Sequence, residues 1–269
     1  MNNQSKFYQG KKRGSARKGG PSFAFKGASM SKKPKNNSLA KNNAVKNNPQ
    51  QNHFELRQIR PLTSNQQKTF DSYHDGYNLM LHGFAGTGKT FCALYLGLEE
   101  LLTGKSEYDK IILIRSVVPS RDMGFLPGTI KDKIAVYEEP YKEICDNLFG
   151  RGDGFNILKM KNMVQFTTTS FLRGMTFNRA IVIVDETNNM TFQEIDTVMT
   201  RLGNQSRVIF CGDYRQTDLM KPNEKTGIKD FMRITSRINT FRHVEFEKED
   251  IVRSGIVRDY IIQKTELGL

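Results

Sequence analysis

Eight consecutive residues, Gly83, Phe84, Ala85, Gly86, Thr87, Gly88, Lys89 and Thr90, limit the fold of this chain more tightly than anything else in it. They fit G-x-x-x-x-G-K-[ST] at every position. Backbone N–H groups in such a loop converge on phosphate oxygens, and glycine permits both the close approach and the unusual dihedrals. Lys89 supplies a point charge to β- and γ-phosphates, and Thr90 offers a hydroxyl to Mg²⁺. A helix beginning here aims the positive end of its dipole at the anion. The loop therefore has to join a strand to a helix. Its flanks comply: 78–81 is a short apolar run and 89–102 has a helical pattern. His82 and Cys92 beside it read as packing residues.

The same alternation runs through the rest of the body. Apolar runs at 78–81, 110–115, 163–168, 180–185 and 207–212 read as buried strands, with a shorter strand near 241–246. Amphipathic stretches at 89–102, 132–148, 191–202, 226–236 and 249–264 read as helices, and a further helix follows the N-cap types Thr63 and Ser64. Strand–helix alternation predicts an α/β fold, a doubly wound and mainly parallel sheet.

Two further polar points fall at strand ends, where open α/β sheets bind ligands. Asp185 and Glu186 close the run AIVIVDE. Asp185 is placed to hold Mg²⁺ and Glu186 to polarise an attacking water. Asp213 and Gln216 follow the next strand, where an amide can contact a γ-phosphate. A plain polar turn with an N-cap reads equally well from that spacing. An acid pair of this kind points to ATP hydrolysis, and no N-K-x-D string is present to read guanine.

The formal net charge of +13 belongs to one segment. Residues 1–52 contain 12 Lys and Arg and no acid, whereas 53–269 hold 29 basic and 28 acidic residues. The Lys- and Asn-rich stretch 1–52 buries too little apolar surface to offset its ordering entropy, so it predicts a disordered basic tail ahead of one domain at 53–269. A transit peptide is the rival reading, weakened by the scarcity of Arg and the lack of an amphipathic stripe. Phe7, Tyr8, Phe23 and Phe25 lie among the basic residues and can stack on unpaired bases, so RNA or single-stranded DNA is a candidate partner. A purely solubilising arm is the alternative. Three widely spaced cysteines, Cys92, Cys145 and Cys211, argue against a disulfide scaffold and for a reducing, cytoplasmic setting. Apolar runs are too short for a membrane span, and the Cys and His show no metal-ligand spacing.

Taken in order, these motifs resemble one family, the PhoH-like ATPases, which have a RecA-like P-loop NTPase domain similar to the first motor domain of superfamily 1 helicases. The resemblance runs from about Leu62 to Tyr260. It takes in LTSNQQ at 62–67, the phosphate loop, IRSVVPSRDMGFLPG at 114–128, FLRG at 171–174, VDETNN at 184–189, TRLG at 200–203, GDYRQTDL at 212–219 and EDIVRSGIV at 249–257. It implies that Gln66 binds the adenine edge, with Gln67 as the register alternative. It implies Lys89 and Thr90 on phosphate and Mg²⁺, Asp185 and Glu186 as metal and hydrolysis residues, and Gln216 as γ-phosphate sensor. Arg253, with Arg258 second, is a candidate arginine finger. Arg115, Arg121 and Arg173 are candidates for substrate contact or for structural ion pairs.

The chain departs from the family at Thr187 and Asn188, where Ala and Gln are usual, which puts contacts made by that amide in question. The stretch before residue 53 does not suit the nuclease domain some relatives carry, so no nuclease activity is expected. Helicases of this class sandwich ATP between two motor domains. One domain alone implies a homo-oligomer, such as a ring, with an arginine acting in trans. Three functions remain open: ATP-driven remodelling of nucleic acid, a slow ATP-dependent regulatory or assembly switch, and an anion-binding adaptor. The intact Lys89, Thr90, Asp185 and Glu186 disfavour the last.

Overall fold

The computed structural model describes residues 54–116, 130–213 and 227–267. The tail 1–52, Arg121 and Gln216 lie outside the described residues. The elements in chain order are α1 (Ser64–His74), β1 (Asn78–Gly83), α2 (Lys89–Leu102), β2 (Lys110–Arg115), α3 (Ile130–Phe149), α4 (Gly154–Met160), β3 (Val164–Thr168), β4 (Ala180–Asp185), α5 (Phe192–Met199), β5 (Ser206–Gly212), α6 (Ile228–Thr235), β6 (Phe241–Phe246) and α7 (Gly255–Glu266).

The six strands form one sheet in the order β3-β2-β4-β5-β1-β6, and every described pairing is parallel. The expected doubly wound α/β architecture is therefore present. Its cause is visible in the strand sequences. All six residues of β4, Ala-Ile-Val-Ile-Val-Asp, are buried, as a central strand covered on both faces requires. Successive side chains alternate between the faces. Ile181, Ile183, Leu79, Leu81 and Ile209 meet Leu94, Leu98, Tyr141 and Leu148 on one side. Val182, Val184, Met80, Val208 and Phe210 meet Ile195, Val198 and Phe231 on the other. Among the described residues β6 pairs only with β1, and it shows partial alternation, as an edge strand does.

Two helices differ from the sequence reading. α4 has no counterpart in it, because seven residues give too short a periodic signal. The closing helix starts at Gly255 rather than near 249. Residues 248–250 form a 3₁₀ turn instead, capped reciprocally by Glu247 and Asp250. Asp250 also accepts from Asn65 Nδ2 at 2.7 Å, which ties this turn to α1.

The topology gathers the functional strand ends. β5 is inserted between β1, which leads into the phosphate loop, and β4, which ends in Asp185. The carboxyl ends of β1, β5, β4 and β2 stand side by side in that order.

Candidate functional site

The phosphate loop leaves β1 at Gly83, whose φ is +111°, and continues through Gly86 and Gly88 at +73° and +83°. Gly88 is the N-cap of α2 and has left-handed backbone geometry. The loop is braced from three directions. Phe84 N donates to Phe246 O at 3.0 Å, and Val252 N donates to Gly86 O at 3.1 Å. Gln66 Nε2 donates to Thr87 O at 3.0 Å. These contacts hold the loop in place, and the first N–H groups of α2 bring the positive end of its dipole to the same place.

Lys89 Nζ donates to Gly83 O at 2.9 Å and to Phe84 O at 2.6 Å. Burial lowers its pKa below the ordinary lysine value, opposed by Asp213 and, less strongly, by Asp185 and Glu186. A desolvated cation gains from an incoming phosphate.

At the end of β4, Asp185 Oδ1 accepts from Thr90 Oγ1 at 2.7 Å, and Oδ2 accepts from Tyr141 OH at 3.0 Å. Tyr141 is fully buried. Burial, and then the neighbouring Asp185 carboxylate, push its hydroxyl well above the usual tyrosine range, so it stays protonated and donates. Sequence reasoning misses this residue, because a tyrosine on the apolar face of a helix reads as core. If Asp185 holds Mg²⁺, removing the hydroxyl, Tyr141→Phe, is expected to weaken Mg²⁺ affinity about 10–100-fold, the usual cost of losing an outer hydrogen bond to a metal ligand. A Mg²⁺ titration of turnover checks this, and an unchanged midpoint would remove Tyr141 from the site.

Glu186 has left-handed geometry, φ 52° and ψ 42°. Its carboxylate pairs with Arg115 Nη2 at 3.6 Å, and the Arg115 guanidinium lies 5.9 Å from the Tyr137 ring centroid. Thr187 and Asn188, the two departures from the family pattern, have structural partners. Thr187 Oγ1 donates to Cys211 O at 2.8 Å, and Asn188 Oδ1 accepts from Asp213 N at 3.2 Å. Together they fasten the turn after Glu186 to the end of β5.

The two glutamines of α1 are distinguished by position. Gln66 is buried, and its Oε1 accepts from Leu62 N at 2.8 Å. This bond and the one to Thr87 O leave one amide hydrogen and one lone pair of the side chain over. Gln67 is exposed and donates to Asp71 Oδ1 at 2.8 Å. Arg253 lies against its own loop: a Cβ built on Gly86 would sit 2.8 Å from Arg253 Cγ. Arg258 and Arg173 are exposed.

A family model described as PhoH-like protein matches residues 58–264. A PhoH-like protein of Mycobacterium leprae is 31% identical over 206 residues, which cover 76% of this chain and 57% of that one. Protein PhoH of Escherichia coli is 34% identical over 176 residues, 65% of this chain and 49% of the other. The chain thus spans about half the length of the curated relatives it matches. Among solved structures, the large terminase of a thermophilic bacteriophage in complex with ADP is similar with a TM-score of 0.46 and 10% identity, over 76% of this chain and 50% of that one.

Proposed function

This chain belongs to the PhoH-like protein family, and from that premise we propose that it is a Mg²⁺-dependent ATPase whose turnover is coupled to RNA or single-stranded DNA. The observation that carries the reading is the 2.7 Å hydrogen bond between Thr90 and Asp185. It joins the hydroxyl after the loop lysine to an acid 95 residues away, and the pair offers the hard oxygen donors that Mg²⁺ prefers. Thr90 and Asp185 would hold the ion, which when bound neutralises charge on the β- and γ-phosphate oxygens.

In this reading Gly83 to Gly88 cradle the phosphates, Lys89 contacts the β- and γ-phosphates, and Gln66 meets the adenine edge. Glu186 takes a proton from water as the water oxygen attacks the γ-phosphorus. The bond from that phosphorus to the bridging oxygen breaks, and ADP and phosphate leave. Gln216 would sense the γ-phosphate. Arg253 would add positive charge beside its own loop. Arg258 would serve a neighbouring subunit in a homo-oligomer, such as a ring. It lies on α7 between Ile256 and Tyr260, which are 82% and 67% exposed. A protein that stays monomeric with ATP analogue and Mg²⁺, yet hydrolyses ATP normally, would remove the oligomer from this proposal. Among the described residues no helix is long and apolar enough to cross a membrane. A cytoplasmic location is part of the same proposal, resting on three free, buried cysteines.

The test is steady-state ATP hydrolysis across a panel of nucleic acids, with the full chain and with a chain lacking residues 1–52. Single-stranded RNA or DNA is expected to raise turnover. Deleting 1–52 should weaken nucleic-acid binding and flatten its salt dependence, since twelve basic residues and no acid are removed. Basal hydrolysis should stay largely as it was. If no nucleic acid raises turnover, the slow regulatory switch becomes the better reading.

A further inference from the structure

We propose that Asp250 is a positioning residue for base selection: its carboxylate joins α1 to the closing turn and so fixes the Gln66 amide where it admits adenine and opposes guanine. The inference rests on the reading of Gln66 as the adenine contact.

The two groups that meet the Gln66 amide give it a single orientation. Leu62 N is a donor and meets Oε1 at 2.8 Å, whereas Thr87 O is an acceptor and meets Nε2 at 3.0 Å. Turning the amide over would set donor against donor and acceptor against acceptor. Adenine offers a donor at N6 beside an acceptor at N7, and guanine offers two acceptors in the same places. An amide with its N–H and its oxygen fixed therefore matches the first and opposes the second. An amide that can shift aside loses part of that difference.

Fixing the amide means fixing the backbone on both sides of it, and Asp250 reaches both. It is 2% exposed and ends the 3₁₀ turn 248–250. Its Oδ2 accepts from Asn65 Nδ2 at 2.7 Å and from Glu247 N at 2.8 Å. Burial works to raise its carboxyl pKa. Hydrogen bonds from the Asn65 and Thr63 side chains and from the Glu247 and Asn65 backbone outweigh burial and hold it below the usual carboxylate range. Thr63 is the N-cap of α1, and its Oγ1 in turn accepts from Gln66 N at 3.3 Å. The second arm continues along the chain. Val252 N donates to Gly86 O at 3.1 Å. A Cβ built on Gly88 would sit 3.2 Å from Gln66 Nε2 and 4.0 Å from Val252 Cγ2. The phosphate loop is thus met by Gln66 from α1 and by Val252 from the closing segment, and Asp250 joins those two arms.

A carboxylate has roughly four acceptor sites, which suits this set of donors. Asp250→Asn keeps the shape but puts an NH₂ group where an acceptor stood, so donors face a donor and the first turn of α1 is loosened. The test is steady-state hydrolysis of ATP and of GTP by the wild type, Gln66→Ala, Asp250→Asn and the double variant. Asp250→Asn is expected to raise the ATP KM about tenfold. It should bring the ratio of kcat/KM for ATP over GTP toward that of Gln66→Ala, with kcat at saturating ATP little changed. Added to Gln66→Ala, it should move that ratio no further, because residues that act through one another are not additive. A merely structural role would lower the rates with ATP and GTP alike and would add in full to Gln66→Ala, and either result would overturn the proposal. Should Asp250→Asn fail to fold, Asn65→Ala removes one donor from the carboxylate and should shift the ratio the same way by a smaller factor. If Gln66→Ala keeps the wild-type ratio, the adenine contact is wrongly assigned and the role of Asp250 falls with it. If Gln66→Ala loses the ratio while the folded Asp250 or Asn65 variant keeps it, only the role of Asp250 is overturned.

Discussion

Lys89→Ala is expected to reduce ATP turnover by about 10²–10³-fold or more, the scale of losing one preorganised charge at a developing anion, with little change in melting temperature. The two halves of that expectation come from the same surroundings. Lys89 is desolvated, which lowers its pKa, and it donates to two loop carbonyls, Gly83 O and Phe84 O, and to the Thr87 hydroxyl. Removing the ammonium relieves that desolvation cost. It leaves the Gly83 and Phe84 carbonyls without that donor, a cost of opposite sign, so the stability change should stay near ~1 kcal/mol in either direction. No other lysine occupies this loop, so the lost charge has no local substitute. Phosphate release measured beside a thermal melt checks both halves. Wild-type turnover would show that the phosphate site lies elsewhere. A cooperative unfolding transition lost altogether would show that Lys89 serves the fold.

Legibility in the sequence follows the physics of each feature. The strands are readable because a parallel strand buried on both faces must be apolar throughout, and 180–184 leaves no other reading. The phosphate loop is readable because its residue types come in a fixed order, and Asp185 stands out as an acid closing an apolar run; the structure brings it to within 2.7 Å of Thr90. Contacts made by residues of ordinary type are not readable. Nothing in a sequence separates a tyrosine that fills a core from Tyr141, which fills a core and also donates to Asp185. Arg115 stays open in the sequence between substrate contact and ion pair, and its pairing with Glu186 depends on β2 lying beside β4. Parallel strand order is set by long crossovers that leave no local mark. Arg253 shows a third limit. A family motif supplies its type and place in the chain, but only the course of the backbone past Gly86 brings it over its own loop.

Gly83→Ala should do the reverse of Lys89→Ala and act on the fold itself. Gly83 has φ +111°, a conformation L side chains rarely adopt, and a Cβ built there would lie 2.1 Å from Phe246 O. The Phe246 N and C atoms would both lie within 2.9 Å of it. All three atoms are backbone, so no side-chain rotation relieves the clash. The obstacle also sits at a joint. Gly83 is the register partner of Phe246, and Phe84 N donates to the same carbonyl. Among the described residues β6 is an edge strand held in the sheet by β1 alone. If its end moves away, the Glu247–Asp250 cap, the Asn65–Asp250 hydrogen bond and the Val252–Gly86 contact move with it. The loop would lose bracing from the closing segment and from α1 together. The expected cost is about 3–5 kcal/mol, in the range reserved for strained backbone and overpacking. For a body of this size that lowers the melting temperature by roughly 10 °C or more. Gly104→Ala is the control, because Gly104 also has positive φ, at +69°, but a Cβ there meets nothing within 4 Å. It should cost only the left-handed penalty, about 1–2 kcal/mol. The difference between the two variants isolates the clash with Phe246. Equal melting temperatures for both would mean that β6 does not press on the loop as described, and that the close β1–β6 joint is not what sets the first turn of the phosphate site.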